Sequence, residues 1–221
     1  MAVGLMAHGA DGPTAAIADA GRATAPPKPF GDVLKNSPGE WVLVPDQSDE
    51  FDGKAIDTRK WDIDPKDWGA WSWSPENVRQ QGGSLHLQMV QRTHKRGGRE
   101  LYYVSGIARN RKPITYGYFE ARIKGCSRYP GASPAFWMHS RGADNRYETI
   151  GGETVRYCEI DVVELQQSEF DFRTRRRFPV NRIDCNLHVL LIRDGKEYWL
   201  RPHTHPDICK TSFDAPWDPR K

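Results

Sequence analysis

The chain has 221 residues, 32 lysines and arginines against 29 aspartates and glutamates, a formal net charge of +3, and 11% aromatic residues. That length is enough to bury a core of its own. The near-balanced charge excludes a surface that binds polyanions as a whole, and no apolar run reaches the roughly 18 residues a membrane-spanning helix needs. Eight tryptophans, 20 glycines and 16 prolines suit an all-β sandwich whose groove takes sugar rings, although tryptophans also fill cores.

Residues 1–38 are rich in alanine, glycine and proline and end in Pro26-Pro27-Lys28-Pro29. With few large apolar side chains to bury, this stretch is expected to be a disordered leader or linker. Its start, MAVGLMAHGADG, lacks the basic region and sustained apolar core of a signal peptide.

The expected domain, 39–221, opens with a short strand at Trp41-Val42-Leu43-Val44, followed by the turn Asp49-Glu50-Phe51-Asp52-Gly53. Trp68, Trp71 and Trp73 come next. Trp71 and Trp73 share a face if the run is extended, either as a core pair or as stacking surfaces for sugar rings. A turn and alternating strand at Gly82–Met89, a basic loop from Arg92 to Arg99, and strands at Leu101–Val104 and Tyr116–Lys124 follow. Gly/Pro turns between such strands point to an antiparallel sandwich. Further along come a strand at Pro134–Met138, a polar loop over 140–157, and a charged tract from Glu169 to Arg182 read as a loop. The basic clusters Arg92–Arg99, Arg109–Lys112 and Arg173–Arg177 read as solvated loops, or as contacts for an anionic substrate. No nucleic-acid module accompanies them, so nucleic acid is not an expected partner.

Between these tracts lies Glu159-Ile160-Asp161-Val162-Val163-Glu164, three carboxylates among β-branched residues. β-branching favours a strand. Alternation puts Glu159 and Asp161 on one face and Ile160 and Val162 on the other. Strict alternation would send Glu164 to the back. One extra residue near Val162-Val163, a β-bulge, returns it to the acids and turns Val163 into the core. Retaining glycoside hydrolysis needs two carboxyl groups about 5–5.5 Å apart. Backbones four paired steps apart, about 13 Å, leave much of that gap for two leaning glutamates to close. Asp161 between them would hold a proton or hydrogen bond and keep the glutamates in different ionisation states. The alternative is a solvated acidic face paired with arginines.

Cys126, Cys158, Cys185 and Cys209 show no metal-ligand spacing and allow three disulfide pairings or none. Cys158 precedes Glu159, so alternation turns it away from the acids.

The stretch CEIDVVELQQ (158–167) resembles the active-site strand of glycoside hydrolase family 16, in the form seen in the kappa-carrageenases. WSWSPENV (71–78), LYYVSGIARN (101–110), YGYFEARIKGCSRYPGASPAFWM (116–138) and NLHVLLIRDGKEYWLRP (186–202) resemble the same group in the same order. The resemblance implies a jelly-roll sandwich with Glu159 as nucleophile, Glu164 as general acid and base, and Asp161 as helper. It also implies a tryptophan of the Trp71/Trp73 pair in the cleft, Trp137 facing the cleaved sugar, His188 reaching the site, and Trp199 with Arg201 on a sulfated sugar. His188 read alone is a satisfied core histidine, and Trp199 with Arg201 a surface pair. No cofactor is expected; a structural calcium at the Asp49–Gly53 turn, as in some members, is left open.

The sequence stops at Trp217–Lys221, where the family pattern continues with further strands, so a C-terminally truncated catalytic domain is expected. The expected activity is retaining endo-hydrolysis of β-1,4 linkages in a sulfated red-algal galactan, foremost kappa-carrageenan. The alternatives are furcellaran, porphyran, agarose or β-1,3-glucan as substrate, or a non-catalytic sugar-binding sandwich. The expected setting is a secreted or periplasmic monomer whose partner is the sulfated polysaccharide.

Overall fold

The computed structural model describes residues 3–8, 41–126, 132–140, 149–150, 153–201 and 211–214. The chain divides into two compact units, Met1–Ile123 and Lys124–Lys221. In the first, the strands run in chain order as β1 (Val3–His8), β2 (Trp41–Leu43), β3 (Trp61–Asp62), β4 (Ser72–Trp73), β5 (Val78–Gln80), β6 (Leu85–Leu87), β7 (Met89–Arg96), β8 (Arg99–Ser105), β9 (Arg109–Asn110) and β10 (Tyr118–Ala121). In the second they are β11 (Ala135–His139), β12 (Thr149–Ile150), β13 (Glu153–Asp171), β14 (Arg176–Arg193), β15 (Lys196–Leu200) and β16 (Thr211–Asp214). Helix among the described residues is confined to 3₁₀ turns at Pro45–Gln47 and Pro75–Asn77. The fold class is all-β.

The first unit is built from small sheets: β10-β1-β2, β4-β8-β7, and the pairs β3–β9 and β5–β6. One pair departs from the antiparallel expectation, since β4 runs parallel to β8, with Ser72 opposite Val104 and Trp73 opposite Ser105. The expectation of a disordered leader is corrected for Val3–His8. These residues form β1, filling the place between β2 and β10 and pairing with both. The open edges of two short strands supply backbone partners that composition alone does not reveal. The other leader residues lie outside the described ones.

Phe51 anchors the unit's core. It is fully buried and tilted against Trp61 at 5.7 Å between ring centroids. Its backbone takes a positive φ of 54°, held by Asp49, whose Oδ1 accepts the Phe51 N–H at 2.8 Å. The other oxygen of Asp49 accepts the Trp61 indole N–H at 2.9 Å. The Lys60 ammonium stands 3.7 Å away and donates to the Ser48 carbonyl. Asp49 therefore carries the turn. A second knot forms at Asn77, whose Nδ2 donates to Val104 O at 3.1 Å while its carbonyl accepts from Gln88 N at 2.9 Å. Gly106 packs against that carbonyl so closely that an added Cβ would lie 2.3 Å from Asn77 O.

The basic runs are mostly structural. Arg92–Arg96 belongs to β7, which turns at Gly97-Gly98 into β8, so the expected loop is a hairpin. Arg109 Nη2 contacts the buried Asp62 at 2.5 Å, Arg111 lies 3.5 Å from the same carboxylate, and Lys112 pairs with Asp46.

The described strands of the second unit make one six-stranded sheet in the order β11-β13-β14-β15, with β12 beside β13 and β16 beside β14. The charged tract read as a loop over 169–182 is instead the tip of the β13–β14 hairpin, turning at 172–175 with Arg175 at φ 58°. Cross-strand hydrogen bonding overrides the charge pattern there. Residues 149–150 and 153–157, also placed in a loop, are strand as well.

Candidate active site

Strand β13 carries the acids, and its pairing shows where the extra residue sits. Against β14, Asp161 lies opposite Asn186 and Glu164 opposite Asp184, three steps on one strand for two on the other. Against β11, Phe136 pairs with Val163 and the next residue, Trp137, with Asp161. Both neighbours thus put a bulge at Val162-Val163, where the spacing of the acids requires it. The Cys185 thiol donates to the Val162 carbonyl at 3.2 Å, satisfying a backbone oxygen within the bulge. No disulfide joins Cys126, Cys158 and Cys185 among the described residues, and Cys209 lies outside them.

The bulge brings the three carboxylates together. Asp161 is 5% exposed and hydrogen-bonds Glu159 on one side. Burial, then the charges of Glu159 and Glu164, push its carboxyl up from 3.8 to about 7. Asp161 therefore keeps its proton well above the usual carboxylate range and, when protonated, can donate it toward Glu159. His188, opposite Glu159 on β14, brings Nε2 within 3.2 Å of Asp161 Oδ2. Glu159, Asp161 and His188 present atoms within 4.8 Å of one another, a set that could also hold a metal ion.

Four residues that sequence reasoning missed complete this face. The Tyr157 hydroxyl donates to Glu159 Oε2 at 2.5 Å, and burial, then Glu159, raise its pKa far above the ordinary tyrosine value, so it remains a donor. Asn186 Nδ2 donates to Glu164 Oε2, and its side chain also hydrogen-bonds Asp161. Asp184, opposite Glu164, is fully buried. His139, opposite Glu159 on β11, stacks on Trp137 at 5.1 Å. Tyr157 was within reach of the sequence, two residues before Glu159 and so on its face. Asn186, Asp184 and His139 depend on cross-strand register.

An aromatic row extends from the acids. Trp137, His139, Tyr157 and Trp199 follow one another at centroid spacings of 5.1, 6.0 and 5.9 Å. The Arg201 guanidinium lies 4.9 Å over the Trp199 ring. Six of the nine expected site residues, Glu159, Asp161, Glu164, Trp137, His188 and Trp199, thus share one face of one sheet, with Arg201 stacked at its edge. Trp71 and Trp73 belong to the first unit, clustered with Trp68 at 5.9 and 4.9 Å from Trp73.

The opposite face departs from expectation. Ile160 and Val162, placed on the face away from the acids, are 46% and 37% exposed, while the polar face buries Asp161, Asp184 and Asn186. The physical reason lies in the layers: the described strands of this unit form a single sheet, so no second sheet of its own covers the apolar side.

The match to a family model covers residues 41–204 and is described as beta-porphyranase A-D, GH16 domain. A kappa-carrageenase of Pseudoalteromonas carrageenovora is 40% identical over 195 residues, 83% of this chain and 46% of its own length. Beta-porphyranase B of Zobellia galactanivorans is 27% identical over 164 residues, 72% of this chain and 54% of its own. The chain thus spans about half the length of these curated relatives. Among solved structures, the kappa-carrageenase from Pseudoalteromonas carrageenovora in complex with an oligotetrasaccharide of kappa-carrageenan superposes with a TM-score of 0.69 at 37% identity, covering 83% of this chain and 67% of that one. The kappa-carrageenase from Zobellia galactanivorans superposes at 0.63 and 34% identity, covering 78% and 61%. With its antiparallel β-sandwich class and a family match across about three quarters of its length, the chain belongs to glycoside hydrolase family 16.

Proposed function

We propose that this chain is the catalytic portion of a retaining endo-hydrolase that cuts β-1,4 linkages in a sulfated galactan, with kappa-carrageenan as the substrate. The observation that carries the reading is the bulge-ordered row Glu159, Asp161, Glu164, in which burial and the flanking glutamates push the central aspartic acid up. Glu159 attacks the anomeric carbon and forms a glycosyl ester while Glu164 gives its proton to the departing sugar oxygen. Water then loses a proton to Glu164 and attacks the same carbon, freeing Glu159 with the anomeric configuration retained. The Asp161 proton and the Tyr157 hydroxyl both point at Glu159, orienting the nucleophile and steadying its charge. Both nucleophile and proton come from carboxyl groups, so the reading needs no cofactor.

The kappa-carrageenase relative at 40% identity supports the substrate. Trp137 and Trp199 offer stacking faces, and the Arg201 fork suits a sulfate ester. The family model's porphyranase description favours a second reading, in which the same acids cut porphyran. A polysaccharide substrate implies a secreted or periplasmic protein, since such a polymer does not cross membranes intact; no described helix is long and apolar enough to span one.

The test is to incubate the chain and its Glu159→Gln variant with kappa-carrageenan, furcellaran, porphyran, agarose and β-1,3-glucan, following reducing ends, product masses and product anomers. Cleavage of kappa-carrageenan to β-anomers, lost in the variant, is expected. Undiminished cleavage by Glu159→Gln sinks the nucleophile assignment. Preference for porphyran transfers the substrate, and binding without cleavage by the unaltered chain returns the sugar-binding sandwich.

A further inference from the structure

The first unit poses a question that the acids do not answer: what holds three neighbouring tryptophans in one arrangement. Trp68 and Trp73 lie 4.9 Å apart at 50°, and Trp71 meets Trp73 edge-on at 5.9 Å. Buried indoles are usually anchored by a hydrogen bond from their N–H. Here the indole nitrogens of Trp71 and Trp73 are buried and donate to nothing among the described residues. Their polar edges therefore do not fix the rings.

The backbone beneath them is fixed instead. Arg96, the last residue of β7, sends its guanidinium across to the 68–71 loop. Nη1 donates to Trp71 O at 2.7 Å and reaches Trp68 O at 3.4 Å, while Nη2 donates to Gly69 O at 2.5 Å. Asp67 closes the loop from the other end. Its Oδ1 accepts the Trp73 N–H at 2.7 Å, and its Oδ2 lies 3.6 Å from Arg96 Nη1. His94, on the same strand as Arg96, brings Nε2 within 2.8 Å of Ser72 Oγ. The loop bends at Gly69, whose φ of +72° lies where side chains are disfavoured. A planar fork with donors at fixed spacing can meet several carbonyls of one bend at once, which a lysine ammonium on its flexible stem does not reproduce.

We propose that Arg96, braced by Asp67, is a positioning residue that builds Trp68, Trp71 and Trp73 into a single sugar-stacking platform. This rests on the reading that the chain acts on a polysaccharide and on the resemblance that places a tryptophan of the Trp71/Trp73 pair in its cleft. It departs from both sequence-based readings of Arg92–Arg99, a solvated loop or a contact for an anionic substrate. The Arg96 fork faces backbone carbonyls, so its contribution to binding is independent of the sulfate on the sugar.

The test uses the full chain with Glu159→Gln as a non-cleaving background, measuring affinity for kappa-carrageenan and for its chemically desulfated form by affinity electrophoresis. Kinetics on the active chain and near-ultraviolet circular dichroism accompany it. Arg96→Lys and Arg96→Ala are both expected to weaken binding about tenfold, a loss of about 1.4 kcal/mol. The factor is expected to be equal on the two polymers, with KM raised and kcat held within about twofold, and with an altered tryptophan circular-dichroism band. If Arg96→Lys binds like the unaltered chain while Arg96→Ala loses affinity for the sulfated polymer alone, Arg96 reads sulfate by charge and the proposal is overturned. If kcat falls with thermal stability and KM does not move, Arg96 is merely structural and the proposal is likewise overturned. Trp71→Ala and Trp73→Ala serve as the separate control: unchanged affinity in both removes the platform itself, whatever Arg96 does.

Discussion

Asp161→Asn isolates the electrostatics of the site. The substitution keeps the size of the side chain and its capacity for hydrogen bonds but removes its charge. Asp161 is buried beside Glu159 and Glu164, with Asn186, His188 and Asp184 facing it from β14 and Trp137 from β11, and its carboxyl is pushed up to about 7 from 3.8. Between about pH 4 and about pH 7 the unfolded chain therefore releases this proton while the folded chain keeps it. The stability that the raised carboxyl contributes is complete below about pH 4 and is lost as pH rises through about 7. At about 1.4 kcal/mol per pH unit the loss reaches about 4 kcal/mol. Urea denaturation of both proteins from about pH 4 to about pH 8 reads the difference directly. The variant should match the unaltered chain in acid and exceed it by up to about 4 kcal/mol at about pH 8, while turnover falls at least tenfold. A gap that stays constant with pH, or a variant less stable at about pH 8, refutes the reasoning.

Tyr157→Phe removes a hydroxyl donor from Glu159 and should lower kcat about tenfold, because the nucleophile loses a hydrogen bond that orients it; an unchanged kcat counts against that contact. Arg201→Lys keeps the charge but not the fork stacked on Trp199, so KM should rise about tenfold on the sulfated polymer and little on the desulfated one. Gly106→Ala would bring a Cβ to 2.3 Å from the Asn77 carbonyl, and the backbone shift needed should cost about 1–3 kcal/mol, visible as a lower melting temperature with the pH profile unchanged.

The acids of β13 were legible because their information is local. Glu159, Asp161 and Glu164 lie on one strand whose alternation has a period of two, so their spacing alone demands a bulge, and the pairings with β11 and β14 contain one. The β class was legible for the same reason, from short alternating runs between turns. What tertiary structure decided is who stands opposite whom. Asn186 and Asp184 face Asp161 and Glu164 only because β14 is registered as it is. The parallel pairing of β4 with β8, the strand at Val3–His8 and the engagement of Arg96, Arg109 and Arg111 by loop carbonyls and Asp62 depend on distant partners. Neither charge nor alternation within one segment encodes these, because a backbone carbonyl or an open strand edge leaves no mark in the residue type that carries it.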